Sequence, residues 1–391
     1  MFSSRLISLL LLAVTVVASP VVEPRADGTA TLPLTLQRNA MNGQEMVSAG
    51  RQRAQALQAA GHGKGHHSSN VPVLNQAVIY TASVGVGSAG DSYNLIVDTG
   101  SSNTWVGAVK AYSPSDTSRD TGDFVIVQYG SGFFVGQEYL DRVTLSNQLV
   151  INNQSIGAAF LHLGPTDLTQ GTLVIESDDT IPTVTDNLFE QKTIQKKALG
   201  VYFAPMDAIG ALSCDAQAVP TVRYIRLVAC GLCYDQSVSY GGVQILSKTA
   251  GIADTGTTLI YLPSDAYAKY RDATGATYDN STGLLTVTPE KFAQMQSLTF
   301  NIAGEDYDLI PDAQLWPRSY NTEIGGSPDG YYLVFADTGS NSSESQGLAF
   351  INGYAFLERF YSFYDSGCNG QDPAMGFATT KYTNAVVNSA L

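Results

Sequence analysis

Cysteine, histidine and cationic side chains are all scarce in this chain of 391 residues. It holds four cysteines and four histidines, and 21 lysines and arginines stand against 35 acidic residues. A formal charge of −14 excludes nucleic acid and anionic membrane surfaces as natural partners. Charged residues make up only 14% of the chain, so protonating the carboxylates leaves little positive self-repulsion, a composition suited to an acidic medium. Long apolar runs are absent too. The only one, Leu6 to Ala18, is short for a membrane span and is followed closely by Pro20. With Arg5 ahead of it and small residues at Ala18 and Ser19, it reads as a secretory signal over residues 1–18, which predicts an exported, extracellular protein.

The few cysteines exclude a disulfide-dense scaffold. Cys230-Gly-Leu-Cys233 has redox or zinc spacing, but no second ligand pair accompanies it, and in an exported chain a fortuitous pair or a structural disulfide is expected. Cys214 and Cys368 complete the set, and its three possible pairings stay open. His62, His66 and His67 lie before residue 70, and His162 is a lone imidazole, so no metal and no cofactor is expected.

What the chain does have is tyrosine (21), glycine (37) and a hydrophobic share of 44%. Short strands joined by glycine-rich turns fit this better than helix bundles, and the length allows two domains. Residues 19–69 differ in texture, with Arg25, Arg38, Arg51, Arg53 and Lys64 against Glu23, Asp27 and Glu45. Six of the 21 basic and three of the 35 acidic residues fall before position 70, which leaves 15 and 32 beyond it. A basic segment ahead of an acidic body predicts a propeptide over 19–69, an electrostatic plug that loosens as carboxylates protonate.

From Val71 onward strands dominate. Phe124 to Tyr129 and the run after Gly130-Ser131-Gly132 predict a hairpin with Tyr129 at its shoulder. Helices are expected at 182–192, from Ser264 as the cap after Pro263, and from Thr288 with Pro289 in the first turn. Three sequons, at Asn153, Asn280 and Asn341, mark surface loops of a glycoprotein.

Two stretches are nearly the same: Leu95-Ile-Val-Asp98-Thr99-Gly100-Ser101 and Gly251-Ile-Ala-Asp254-Thr255-Gly256-Thr257. Each carries an apolar strand into an aspartate, a costly burial unless the site uses the charge. A third Asp-Thr-Gly, Asp337-Thr338-Gly339, runs on into polar sequence and reads as a solvent-facing turn.

The apolar frames of Asp98 and Asp254, the Tyr129-Gly-Ser-Gly132 run and Phe350-Ile-Asn-Gly353 resemble the pepsin-like aspartic peptidases, and most closely the fungal polyporopepsin branch. The resemblance covers most of residues 70–391. It implies a mostly β, bilobal acid-protease fold, with pseudo-twofold related lobes at 70–220 and 221–391 and a central cleft. It implies a monomeric zymogen of an endopeptidase acting on extended polypeptides at acidic pH. Asp98 and Asp254 would share a proton and activate water, a dyad that is itself a standard illustration of carboxylate coupling. By the same resemblance Thr99 and Thr255 brace the two loops, Ser101 and Thr257 bond the outer carboxylate oxygens, and Gly100 and Gly256 allow close approach. Tyr129, Gly130, Ser131 and Gly132 form the flap, with Trp105 as partner of the Tyr129 hydroxyl.

Three departures accompany the resemblance. The aspartates are only 156 residues apart. In place of the family's Asp-Gly-Ile-Leu-Gly strand beneath the first aspartate stands Gly157 to Pro165, in which His162 would crowd the site. Residues 207–240 lack the expected hairpin and joining strand. They admit an alternative, a catalytically impaired pepsin-fold binding protein, or an inaccurate exon boundary in the gene of an active one.

Overall fold

The computed structural model describes Leu32 and residues 34–38, 42–60, 78–99, 103–129, 132–163, 171–174, 181–206, 225–226, 233–344, 348–366 and 373–390. Ahead of the two lobes come strand β1 (Thr35–Arg38) and helix α1 (Gly43–Ala60). The first lobe adds β2 (Val78–Val86), β3 (Asp91–Asp98), β4 (Trp105–Val106), β5 (Arg119–Tyr129), β6 (Gly132–Thr144), β7 (Val150–Leu163) and β8 (Gly171–Val174). These eight strands form one sheet in the order β1-β2-β3-β8-β4-β7-β6-β5, and a β2–β6 pairing turns it back on itself. Inward residues such as Leu95, Val97, Val106, Ile151 and Leu173 fill its core. Helix α2 (Val184–Glu190) follows, and its Thr183–Asp186 capping box satisfies the first backbone donors reciprocally.

Strands β9 (Ala198–Val201), β10 (Ile225–Arg226), β11 (Tyr234–Tyr240), β12 (Val243–Ala253) and β13 (Ile260–Leu262) lead into the second lobe. It continues with α3 (Ser264–Thr274), β14 (Thr277–Tyr278), β15 (Leu285–Thr286), α4 (Pro289–Phe292), β16 (Leu298–Ile302), β17 (Glu305–Leu309), β18 (Tyr332–Leu333) and β19 (Phe335–Asp337). The last elements are β20 (Phe350–Asn352), α5 (Tyr354–Leu357), β21 (Phe360–Asp365) and β22 (Ala374–Thr379). The larger sheet runs β17-β16-β11-β12-β20-β13-β19, and β10-β22-β21-β9 joins strands from both halves of the chain.

The two large sheets share a frame. Strand β3 lies parallel to β8, which is antiparallel to β4, which is parallel to β7. Strands β12, β20, β13 and β19 repeat that sequence of directions. Each aspartate therefore leaves the end of a strand buried between neighbours, at matched positions of two related halves.

Helix α3 begins one residue earlier than its expected cap. Pro263 holds the N-cap position and has no polar side chain to cap with, while the Ser264 hydroxyl donates to Asp337 Oδ1 at 2.6 Å. Thr288 does cap α4, accepting from Lys291 N at 3.3 Å. Asn280 and Asn341 are exposed outside the strands and helices, whereas Asn153, also exposed, lies within β7 and not in the expected loop.

Candidate active site

Asp98 and Asp254 are both completely buried, and the structure brings them together across the lobes. Their loops are cross-tied by the two threonines. Thr99 N–H donates to Thr255 Oγ1 at 3.0 Å, Thr255 N–H donates to Thr99 Oγ1 at 3.2 Å, and the Thr255 hydroxyl donates to the Val97 carbonyl at 2.9 Å. A hydroxyl both accepts and donates, so each threonine satisfies a backbone group of the opposite loop that burial would otherwise leave unpaired.

Around Asp254 the carboxylate is held on both oxygens. Gly256 N–H donates to Oδ1 at 3.0 Å, and the Thr257 hydroxyl donates to Oδ2 at 2.5 Å. A β-carbon on Gly256 would lie 2.7 Å from Asp98 Oδ1, so only glycine lets the second loop come this near the first carboxylate. Gly100 and Ser101 lie outside the described residues.

The unforeseen member of the site is Arg53. It projects from α1, is fully buried, and forks onto both aspartates. Its Nε lies 2.6 Å from Asp254 Oδ2, and its Nη2 lies 2.9 Å from Asp254 Oδ1 and 2.8 Å from Asp98 Oδ1. Burial by itself would raise the Asp254 carboxyl, but the Arg53 charge and its hydrogen bonds outweigh that and hold it below the ordinary aspartate value. Burial also works against the Arg53 charge, and the two carboxylates overcome it and raise its pKa. In the chain alone Arg53 is one of several cations in a basic segment. An Ala- and Gln-rich run from Gly43 to Ala60 was the available sign of a helix carrying Arg51 and Arg53.

The helix is seated on the second lobe. Gly43 N–H donates to Ile324 O at 3.0 Å, and the Tyr261 hydroxyl donates to the Met46 and Val47 carbonyls at 3.2 and 3.1 Å. Arg51 Nε donates to Asp337 O at 2.9 Å, and Gln58 Nε2 donates to Ser340 Oγ at 3.1 Å and Leu348 O at 2.9 Å. The third Asp-Thr-Gly is thus a turn, closed by Gly339 N–H on Asp337 Oδ1 at 2.8 Å, but it does not simply face solvent. Thr338 is buried, and α1 rests against the turn.

Strands β5 and β6 form the expected hairpin, pairing Tyr129 with Gly132. Gly130, Ser131 and the side chain of Tyr129 lie outside the described residues. Trp105 stacks on Phe134 with ring centroids 4.4 Å apart.

Beneath Asp98 the sequence reading is corrected. Gly157 to Leu163 belongs to β7, which pairs with β4 and β6, and the parallel neighbour of β3 is β8, with Asp98 opposite Val174. The strand Gly171–Val174 fits because Gly171 passes Trp105 so closely that a β-carbon would fall 1.9 Å from the Trp105 carbonyl oxygen. Val174 N–H is then satisfied by Thr104 Oγ1 at 3.0 Å. The side chain of His162 and residues 207–224 lie outside the described residues, while β10 and β11 form within the anomalous 207–240 stretch. Cys233 is in a disulfide whose partner also lies outside them.

Comparison with known proteins agrees with this architecture. The eukaryotic aspartyl protease family matches residues 79–379. Polyporopepsin of Irpex lacteus is 46% identical over 346 residues, spanning 82% of this chain and all of that protein. Cathepsin E of Aquarana catesbeiana is 26% identical over 357 residues, spanning 83% of this chain and 85% of its own. The crystal structure of aspartic proteinase from Irpex lacteus superposes with a TM-score of 0.69 at 45% identity, over 79% of this chain and 96% of that one. Two buried aspartates on matched strand ends, cross-tied by threonines within a frame that these relatives share, make this chain a pepsin-like member of the eukaryotic aspartyl protease family, an aspartic-type endopeptidase that hydrolyses polypeptides.

Proposed function

We propose that the chain is the latent precursor of a secreted acid endopeptidase, with Asp98 and Asp254 as its catalytic dyad and residues 19–69 as the propeptide. The observation that carries this reading is the fork of Arg53 onto both carboxylates. A guanidinium bonded to the dyad occupies the place where a water and a scissile carbonyl must meet. Helix α1 fills the cleft around it.

Once α1 leaves, the two carboxylates face each other without a counter-ion and retain one proton between them. The ionised partner then takes a proton from water while the protonated partner polarises the carbonyl of an extended peptide. The bond from Thr257 favours ionisation of Asp254, and the Thr99–Thr255 ties keep the loops from drifting apart as the charge moves. The hairpin of β5 and β6 would serve as the flap, with Tyr129 closing over substrate and excluding water. Residues 70–220 and 221–391 supply the two lobes, and the working pH is about 3–5, where a shared-proton dyad is competent.

The test is acid treatment of the full-length secreted protein, followed by casein digestion and N-terminal sequencing. The expected result is turnover that begins as a new N-terminus appears between Ala60 and Val78, and none from Asp98→Asn or Asp254→Asn. A secreted N-terminus that stays near Ser19 in active protein overturns the propeptide. Tight binding of a transition-state analogue without any digestion assigns the chain instead to the non-catalytic binding protein of the same fold.

A further inference from the structure

The repeat that relates the lobes is broken by a polar residue opposite the position just before the second aspartate. In the first lobe, Val97 on β3 lies opposite Leu173 on β8. In the second, the matching Ala253 on β12 lies opposite Asn352 on β20. The same frame is thus filled by a buried leucine beneath Asp98 and by a fully buried asparagine beneath Asp254. A buried amide is costly unless it is bonded, and the leucine counterpart shows that the frame does not require one.

Asn352 uses its amide to reach across the sheet. Its Nδ2 donates to the Tyr234 hydroxyl at 2.7 Å and to Gln236 Oε1 at 2.9 Å, both on β11. Strands β11 and β20 flank β12 on opposite sides, so these bonds strap the strand that delivers Asp254. Gly251, opposite Tyr234 on β12 and opposite Phe350 on β20, has no side chain between them, and the two rings meet at 5.4 Å. The main chain of Asn352 is at the same time the acceptor for Asp254 N–H at 3.1 Å and the register partner of Ile260 on the returning strand. Wherever Asn352 is fixed, both arms of the Asp254 loop are fixed with it.

We infer that Asn352 is a positioning residue for Asp254, its amide strap to Tyr234 and Gln236 setting where the second carboxylate stands relative to the first. This rests on the reading of Asp254 as a catalytic aspartate. The strap does not touch substrate, so its loss falls on turnover rather than on substrate affinity.

The test uses full-length protein after acid activation, with steady-state kinetics on a peptide across pH. Asn352→Leu, the residue the first lobe uses, is expected to lower kcat about tenfold with KM within twofold, and to displace the acid limb of the kcat profile. Asn352→Asp is the conservative partner, because a protonated carboxyl has the shape of the amide, donates to Gln236 Oε1 and accepts from the Tyr234 hydroxyl, which turns from acceptor to donor. It is expected to restore kcat to within twofold of the parent at pH 4. Gln236→Met, which removes one of the two acceptors, is expected to lower kcat about threefold and covers the case in which Asn352→Leu does not fold. An unchanged kcat in Asn352→Leu or Gln236→Met overturns the inference, as does an Asn352→Asp enzyme no better than Asn352→Leu. Asp254→Asn in the same assay separates the two readings: activity there would overturn the dyad itself, whereas an inactive Asp254→Asn beside a fully active Asn352→Leu overturns only the strap.

Discussion

Arg53 grips Asp254 as a fork, Nε on one carboxylate oxygen at 2.6 Å and Nη2 on the other at 2.9 Å, with no solvent exposure on either side chain. Two parallel bonds to one carboxylate fix direction as well as distance, a geometry that lysine, a point charge with rotating donors, cannot reproduce. The same Nη2 reaches Asp98, so one side chain of the N-terminal segment engages both members of the dyad.

Replacing Arg53 by glutamine is expected to remove latency. Breaking one side of a buried ion pair costs about 3–5 kcal/mol, less whatever the dyad recovers by sharing a proton. The unprocessed variant should take up a transition-state analogue at pH 6, where the parent precursor does not, and its precursor should melt at lower temperature. Arg53→Lys should fall between them. Titration calorimetry on unprocessed protein decides the matter.

The hold of Arg53 on Asp254 is expected to fail only in acid. The folded pKa of Asp254 is depressed, so the stabilisation from this pair is complete above the ordinary aspartate value of about 3.9 and is lost as pH falls through the lowered one. Arg53 stays charged throughout, and the switch lies with the carboxylates. Amide exchange of α1 followed from pH 7 to pH 2 should show protection retained to near pH 4 and lost below it. Protection lost already between pH 7 and pH 5 would contradict this.

Thr255→Val is expected to impair both stability and turnover. It removes the donor to Val97 O and leaves Thr99 N–H buried without an acceptor, a loss of about 1–3 kcal/mol. Because the bonds join the two aspartate loops, kcat should fall by more than tenfold while the folded population at 25 °C stays dominant. Denaturant melts and kinetics on one preparation provide the check.

Gly171→Val should be far more damaging than its surroundings suggest. A β-carbon 1.9 Å from the Trp105 carbonyl cannot be accommodated without separating β8 from β4, and β8 is the strand that backs Asp98. Poor yield of folded protein and no activity are expected. Gly90→Ala, at a turn glycine with open space around it, should lose only what its positive φ costs, about 1 kcal/mol.

Much of the site could be read from the chain because its signals are local. An apolar run entering Asp-Thr-Gly encodes a buried strand end and a tight loop in a few consecutive residues, and the hairpin and helix caps are equally local. The strand beneath Asp98 is not legible in this way: position in the chain points to Gly157 to Pro165, whereas Gly171–Val174 pairs with β3. Strand pairing is a long-range contact, and nothing within either segment announces its partner. Asn352 was invisible for the same reason, since its amide matters only beside Tyr234 and Gln236, more than a hundred residues away.

Composition and local pattern thus determined by themselves that this chain is a β-rich, acidic protein with two matched aspartate frames behind a basic leader. Only the tertiary structure decided what stands between those aspartates. A charge in sequence has no direction. It took the docking of α1 on Tyr261 and on the Asp337 turn, and the exclusion of water around the buried carboxylates, to aim Arg53 among five basic residues of the leader at the dyad.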